Sequence, residues 1–346
     1  MFDGFQELRL AVYAKGNIRG DAKWVSRLGI LGSIRQQSRS HIVSYAASGR
    51  ILFGGDNFVR HGIVGQIRVV LFLALFSAVA TTADAPPLTF KFKTIKVPGA
   101  QSTAIYGINN LSAMVGSYVD SGGVRHGFTL LKGKVVKIDD PNGTDTYCFA
   151  TNRAGAIVGY YATSNHNAQG FLYAKGKFTD ISPTGSTGSQ ATGINDHGDI
   201  TGNFADSKGS HGFLLKGGTY TTLDVPGAQS TLGGAINNAG LMTEVWLDSS
   251  FNSQSSLYNG KTYKTIDVPG EPDSDAAGIN NLGDIVYSWE GSGDTYGGAL
   301  RHSGKFYKFH VPKGDRTFGY GINDHKVIVG AYTDNKGILS GFTATY

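Results

Sequence analysis

The tripeptide Gly-Ile-Asn, or a near copy of it, recurs six times at an almost constant interval in this chain of 346 residues. An asparagine ends each copy, and successive asparagines are 43, 43, 42, 43 and 43 residues apart. The six are Asn109, Asn152, Asn195, Asn237, Asn280 and Asn323. A period of this length is typical of a supersecondary unit that buries its apolar face only by stacking on copies of itself. The sequence therefore predicts one repeat domain built from six units.

The third copy shows most clearly how one unit folds. Apolar and β-branched stretches at 191–195, 199–205, 211–215 and 219–225 alternate with turns that are rich in Asn, Asp and Gly. Short runs of this kind, joined by tight turns, are typical of antiparallel strands. Four such strands in about 43 residues is the layout of one blade of a β-propeller. We therefore predict an all-β fold, a six-bladed β-propeller of four-stranded antiparallel blades.

The phase of the repeat predicts how the ring closes. Residues 90–97 match the fourth strand of a unit, and residues 341–346 match the third. The N-terminal strand can therefore supply the missing outer strand of the last blade. Because a closed ring leaves few strand edges exposed, we expect residues 90–97 to pair with residues 339–346.

The first 85 residues lie outside the repeat. Residues 69–80 form a run of twelve apolar or small residues behind a basic flank, which is short for a bilayer span and typical of a secretory signal. We interpret 59–85 as a signal peptide region, 86–346 as the propeller, and 1–58 as unstructured or an over-extended reading frame. The alternative for 1–58 is a disordered cytoplasmic tail before a membrane anchor. Both place the repeat domain outside the cytoplasm, in an extracellular or periplasmic location, and the first leaves no stable membrane span in the mature form.

The net charge of +5 is unevenly distributed along the chain. Residues 1–80 carry ten Lys or Arg and four Asp or Glu, so the remaining 266 residues hold 21 and 22. The repeat domain is therefore close to neutral. Nucleic-acid binding depends on a basic surface, so we predict no nucleic-acid partner.

The recurring pattern Gly-Ile-Asn-x-x-Gly-x-Ile-x-Gly, followed by Tyr-x-Asp and then His-Gly-Phe, resembles the HAF-repeat family of extracellular bacterial proteins. The match is best at 107–128 and 193–213 and extends over 90–346. The family's His-Ala-Phe signature appears here as His-Gly-Phe, at His126 and His211, and copies four and five lose it. The resemblance implies export and a propeller-like repeat. It transfers no catalytic residues, because the family is defined by its repeat.

Two neighbouring copies depart from the repeat in the second strand. A column that is Gly in the other four copies becomes Glu244 and Tyr287, and two positions further on a Tyr or Phe becomes Trp246 and Trp289. Aromatic faces beside a carboxylate suit the recognition of sugars or peptides. We therefore predict that these four residues bind a ligand. The alternative is compensated packing inside the two blades.

Other recurring polar residues are interpreted as structural. Each repeated Asn is expected to cap its own turn, and His126 and His211, two blades apart, are expected to serve in packing or hydrogen bonding between blades. Loops on one face are expected to carry the following charged residues: Arg125, Asp145, Glu271, Asp273, Asp275, Glu290, Asp294, Asp315 and Arg316. Their spacing singles out no carboxylate pair for glycoside cleavage. The sequence also has no zinc signature and no calcium loop with several alternating oxygen ligands, so we predict no metal and no cofactor and leave catalytic residues unassigned.

The expected function follows from these patterns. The inner-strand column is mostly apolar, which favours binding over catalysis; its members are Tyr106, Phe149, Thr192, Gly234, Ala277 and Tyr320. We predict a secreted, monomeric, non-catalytic binding or scaffold propeller that recognises carbohydrate or protein at the cell surface through one loop face. The alternative is a propeller hydrolase or lyase that acts on carbohydrate. Polar side chains that converge at the mouth of the channel would favour that alternative.

Overall fold

The structure is a computed structural model, which describes residues 88–165 and 167–346. The interpretations of residues 1–58 and 59–85 concern residues outside this part of the chain. Within the described residues all regular structure is β-strand, and no helix there is long and apolar enough to cross a membrane.

The described strands form six antiparallel sheets of four strands each. Blade 1 holds β2 (Ser102–Ile108), β3 (Met114–Val119), β4 (Arg125–Leu131) and β5 (Lys134–Ile138). Blade 2 holds β6 (Asp145–Thr151), β7 (Ile157–Ala162), β8 (Ala168–Ala174) and β9 (Lys177–Ile181). Blade 3 holds β10 (Gly188–Ile194), β11 (Ile200–Ala205), β12 (Ser210–Lys216) and β13 (Thr219–Leu223).

The remaining blades follow the same order. Blade 4 holds β14 (Ser230–Thr231), β15 (Met242–Leu247), β16 (Ser253–Tyr258) and β17 (Tyr263–Thr265). Blade 5 holds β18 (Asp273–Ile279), β19 (Ile285–Gly291), β20 (Thr295–His302) and β21 (Lys305–Phe309). Blade 6 holds β22 (Gly314–Ile322), β23 (Val327–Asp334), β24 (Leu339–Thr345) and β1 (Lys91–Ile95). The predicted six-bladed propeller is confirmed.

The N-terminal strand closes the ring as predicted. β1 pairs antiparallel with β24, from Lys91 opposite Thr345 to Ile95 opposite Gly341. Its aromatic side chains also enter the core of the last blade, where the ring of Phe92 lies 5.7 Å from that of Phe342. The two ends of the repeat therefore complete one sheet.

The six repeated asparagines do more than cap their turns. Each Oδ1 accepts backbone N–H groups of its own turn, as expected; the amide of Ala113, for example, donates to Asn109 at 3.0 Å. Each side-chain Nδ2 also donates to the backbone oxygen of the corresponding Asn in the next blade, over 2.8–3.3 Å. The last of these bonds runs from Asn323 back to Asn109. A closed cycle of six amide hydrogen bonds therefore joins the blades at one end of the ring.

A second repeated contact joins the blades at the other end. At the start of five inner strands a Ser or Thr hydroxyl accepts a bond from a backbone N–H six residues earlier, in the preceding blade, at 3.0–3.2 Å. Val97 and Thr103 are one such pair. Blade 3 is the exception, because Pro183 occupies the donor position and has no N–H. There Ser189 accepts from the amide of Gly170 instead, at 3.0 Å.

The two repeated histidines form their hydrogen bonds within one blade. Nδ1 of His126 lies 2.7 Å from Asp139, and Nε2 lies 3.1 Å from Asp120. His211 is placed in the same way between the two corresponding aspartates of blade 3. Each imidazole therefore ties the turn after the second strand to the end of the fourth strand.

Candidate functional site

The four predicted ligand-binding residues lie in blades 4 and 5, and most of their surface is inside the blades. Glu244 and Tyr287 are fully buried, and Trp289 is 8% exposed. Trp246 is half-buried. A ligand on the surface can therefore reach Trp246 directly, whereas the other three are covered by protein. The prediction that the four bind a ligand stays a prediction.

Glu244 and Tyr287 are buried because the large and the small side chain of a cross-strand pair have changed places. In the other blades a Gly of the second strand lies opposite a Phe of the third, as Gly202 lies opposite Phe213. In blade 4 the pair is Glu244 and Ser256, and in blade 5 it is Tyr287 and Ala299. The large side chain thus moves from the third strand to the second while the total volume is roughly conserved, which is the change that packed cores tolerate best.

Hydrogen bonds hold the three aromatic members in place. Nε1 of Trp289 donates to the backbone oxygen of Gly298 at 3.1 Å, and Nε1 of Trp246 donates to Oγ of Ser256 at 3.0 Å. The hydroxyl of Tyr287 donates to a backbone oxygen at 3.0 Å. Each buried polar atom of an aromatic ring is therefore satisfied, as packing requires.

Glu244 is different from its three neighbours. Neither carboxyl oxygen has a hydrogen-bond partner among the described residues. Burial, and then repulsion from Asp224, raise the pKa of Glu244 well above its usual range. A carboxyl group in this position is costly unless a proton or a cation accompanies it.

The axis of the ring is narrow and mostly apolar. A cavity of about 30 Å³ lies there, and its lining includes the whole predicted inner-strand column from Tyr106 to Tyr320. This volume holds one or two waters and excludes a sugar. Any larger ligand must therefore bind at an end of the channel.

Aromatic rings from four blades form an arc around the axis of the channel. It starts at Tyr160, which stacks on Tyr147 with ring centroids 4.4 Å apart, and it ends at Tyr296, 6.0 Å from Phe318. The rings between are joined at centroid distances of 5.2–6.3 Å; they are Phe149, Tyr106, Tyr320 and Phe318. Blades 3 and 4 contribute no ring to the arc.

Charged side chains lie over both ends of this arc. The guanidinium of Arg125 lies 4.9 Å from the ring centroid of Tyr147, and that of Arg316 lies 4.3 Å from that of Tyr296. Both contacts cross from one blade to the next and have the geometry of cation–π pairs. Arg316 is exposed and Arg125 is half-buried. The two guanidinium groups therefore mark the end of the channel at which the inner strands begin.

Four carboxylates lie at the same end of the blades. Asp145 accepts a bond from the backbone N of Arg125 at 3.1 Å, and Asp273 accepts one from that of Ser253 at 2.6 Å. Asp275 accepts a bond from the hydroxyl of Ser253. Glu290 accepts one from the hydroxyl of Tyr296 at 2.9 Å, and burial, followed by this bond, raises the pKa of Tyr296 to about 12.

We call the set Arg125, Asp145, Asp273, Asp275, Glu290 and Arg316 the channel mouth. The sequence predicts loops at these six positions, whereas the structure places them at the ends of strands, together with Asp315. Of the nine charged residues, Glu271 and Asp294 lie outside strands. The strand assignment matters because side chains on paired strands are held more rigidly than side chains on loops.

Comparison with known proteins adds no assignment of function. No protein-family model and no curated protein matches the chain. A mutant Aleuria aurantia lectin in complex with alpha-methyl-L-fucoside is 10% identical, with a TM-score of 0.47, covering 72% of this chain and 93% of that chain. TolB from Acinetobacter baumannii is 10% identical, with a TM-score of 0.49 and coverage of 71% and 64%. A putative gluconolactonase is 12% identical, with a TM-score of 0.47 and coverage of 75% and 93%. Similarity at this level carries no argument about function.

Proposed function

We propose that this chain is an exported, non-catalytic binding propeller that recognises carbohydrate at the channel mouth. The proposal of export rests on the run at 69–80 and on the HAF-repeat resemblance, and sequencing the N terminus of the mature protein tests it. A mature protein that keeps residues 1–58 in the cytoplasm would contradict it.

The observation that carries the proposal is the collection of fixed charges at one end of a narrow channel. Two guanidinium groups and four carboxylates lie there on strands, and each carboxylate accepts a hydrogen bond from a neighbouring group. Hydroxyl-rich ligands are recognised by a few polar groups held in a fixed arrangement beside apolar surface. Because the channel behind the mouth is too narrow for a sugar, the ligand lies across the opening.

A hydrolase or lyase is the second candidate function. Polar side chains do converge at the channel mouth, and Asp273 lies opposite Glu290 on paired strands, so acid and base groups are present. These carboxylates accept hydrogen bonds within and between the blades, which is typical of groups that stabilise the structure of a surface. We therefore favour binding. Turnover of a bound glycan that Glu290→Gln abolishes without weakening binding would favour the enzyme.

Replacement of Arg316 should weaken glycan binding without unfolding the protein. Arg316 is the exposed member of the channel mouth, and a hydrogen bond to a charged group contributes about 1.5–3 kcal/mol. Arg316→Ala is therefore expected to raise the Kd at least about tenfold. A glycan array with the full chain identifies the ligand, and titration calorimetry measures the Kd of each variant.

Arg153 offers a matched control for this experiment. It is also an exposed arginine, in the turn that follows β6 and thus at the opposite end of the ring. Arg153→Ala should leave the Kd unchanged. Equal loss in both variants, or loss in Arg153→Ala alone, would contradict a site at the channel mouth, and so would an array without a bound glycan.

A further inference from the structure

Unpartnered buried oxygen atoms gather between blades 3 and 4. Oε1 of Gln190, Oδ1 of Asn203, Oγ of Ser210 and both carboxyl oxygens of Glu244 lack a hydrogen-bond partner among the described residues. The exposed fractions of these four residues lie between 0 and 6%. Buried polar atoms without partners are rare in folded proteins, and each one calls for an explanation.

The pairing of strands shows that these atoms face one another. Gln190 lies opposite Asn203, and Asn203 lies opposite Gly212, so the three share one face of blade 3. Ser210 is two residues from Gly212 on the same strand and has the same orientation. A Cβ added to Gly212 would lie 3.2 Å from Oε2 of Glu244. The blade 3 oxygens therefore face blade 4 at the place where the carboxyl group of Glu244 faces blade 3.

The chemical nature of the cluster decides what can fill it. Four of the five atoms are carbonyl or carboxyl oxygens, and the fifth is a hydroxyl that can also act as a ligand. A single proton on Glu244 supplies one donor and leaves most of the acceptors unsatisfied. Carboxylates, amide oxygens and water are the ligands that hard divalent cations take, and calcium takes six to eight of them.

We propose that the interface between blades 3 and 4 binds a calcium-class divalent cation through Glu244, Asn203 and Gln190, with water completing the ligands. Among the described residues no group of three His, Cys, Asp or Glu side chains that could hold a metal ion is present, and two of the three protein ligands proposed here are side-chain amides. This proposal is independent of the glycan site.

Calcium should stabilise the wild-type chain and have no effect once the carboxylate is removed. After EDTA treatment and buffer exchange, calcium chloride at about a hundred times its Kd is expected to raise the Tm of the full chain by about 5 °C. Glu244→Gln should abolish this shift. Asp294→Asn, which removes a carboxylate from an exposed loop, should retain it. Thermal unfolding followed by circular dichroism measures all three.

A second variant and a direct titration cover the case in which Glu244→Gln does not fold. Asn203→Asp adds a carboxylate ligand and should tighten calcium binding at least about tenfold, measured by titration calorimetry beside the wild type. No binding heat and no Tm shift in the wild type would overturn the proposal. An equal shift in Glu244→Gln would also overturn it. Stabilisation of the wild type by acid but not by calcium would do the same, because a proton and not a cation then occupies Glu244.

Discussion

Deletion of residues 88–97 is expected to abolish cooperative unfolding of the propeller. This removes the whole of β1, five residues of which pair with β24, and leaves an open strand edge and an uncovered apolar flank. Each backbone hydrogen bond contributes roughly 0.5–1.5 kcal/mol, and a whole domain is stable by only about 5–15 kcal/mol. Thermal unfolding by circular dichroism should show a broad transition, and gel filtration should show aggregates formed through the edge.

The control for the deletion is a substitution on the same strand. Lys93 is exposed, so Lys93→Ala should unfold at the wild-type Tm. Phe92→Ala removes the ring packed against Phe342, and its Tm should lie between those of the control and the deletion. A deletion variant that stays monomeric with the wild-type Tm would show that β1 does not hold the ring closed.

Trp289→Ala is expected to destabilise the fold by about 3–5 kcal/mol, the usual cost of removing a buried large aromatic side chain. The indole is 8% exposed, donates to Gly298 and has the ammonium of Lys308 5.0 Å from its ring centroid. Trp246→Ala is the matched comparison, and it should cost less because its indole is half-buried. Denaturant unfolding of both variants measures the two free energies.

The same two variants test the ligand site predicted from the repeat. If Trp246 contacts a ligand, Trp246→Ala weakens glycan binding while the protein stays folded. A Trp289→Ala variant with the wild-type free energy of unfolding and no glycan binding would contradict the packing role of that residue. That result would place the glycan site in blades 4 and 5 instead of at the channel mouth.

Local rules explain why the architecture could be predicted from the sequence. The turn chemistry of Asn, Asp and Gly and the alternation of apolar residues depend on neighbours in the chain, and the period of 43 residues counts the blades. Closure by β1 follows from the phase of the repeat at its two ends. The cycle of asparagine amides could not be predicted in this way, because it depends on how far apart neighbouring blades pack.

The burial of Glu244 and Tyr287 and the position of the channel mouth could not be predicted from the sequence, for physical reasons. Glu244 and Tyr287 stand out in the second-strand column, but their compensating partners, Ser256 and Ala299, lie in the third strand. The signal was present, since copies four and five lose the Phe of His-Gly-Phe. The channel mouth carried no such signal, because Arg125 and Asp145 belong to different blades and come together only when blades 1 and 2 pack against each other.

Hydrogen–deuterium exchange of the full chain, with and without the glycan that it binds, tests the proposed site most directly. We expect the glycan to slow exchange at the residues that begin β4, β6, β18 and β22, where the channel mouth lies. The turns that carry the six repeated asparagines, at the opposite end of the ring, should exchange at unchanged rates. Protection of those turns, or of blades 4 and 5 around Trp246 alone, would contradict a binding site at the channel mouth.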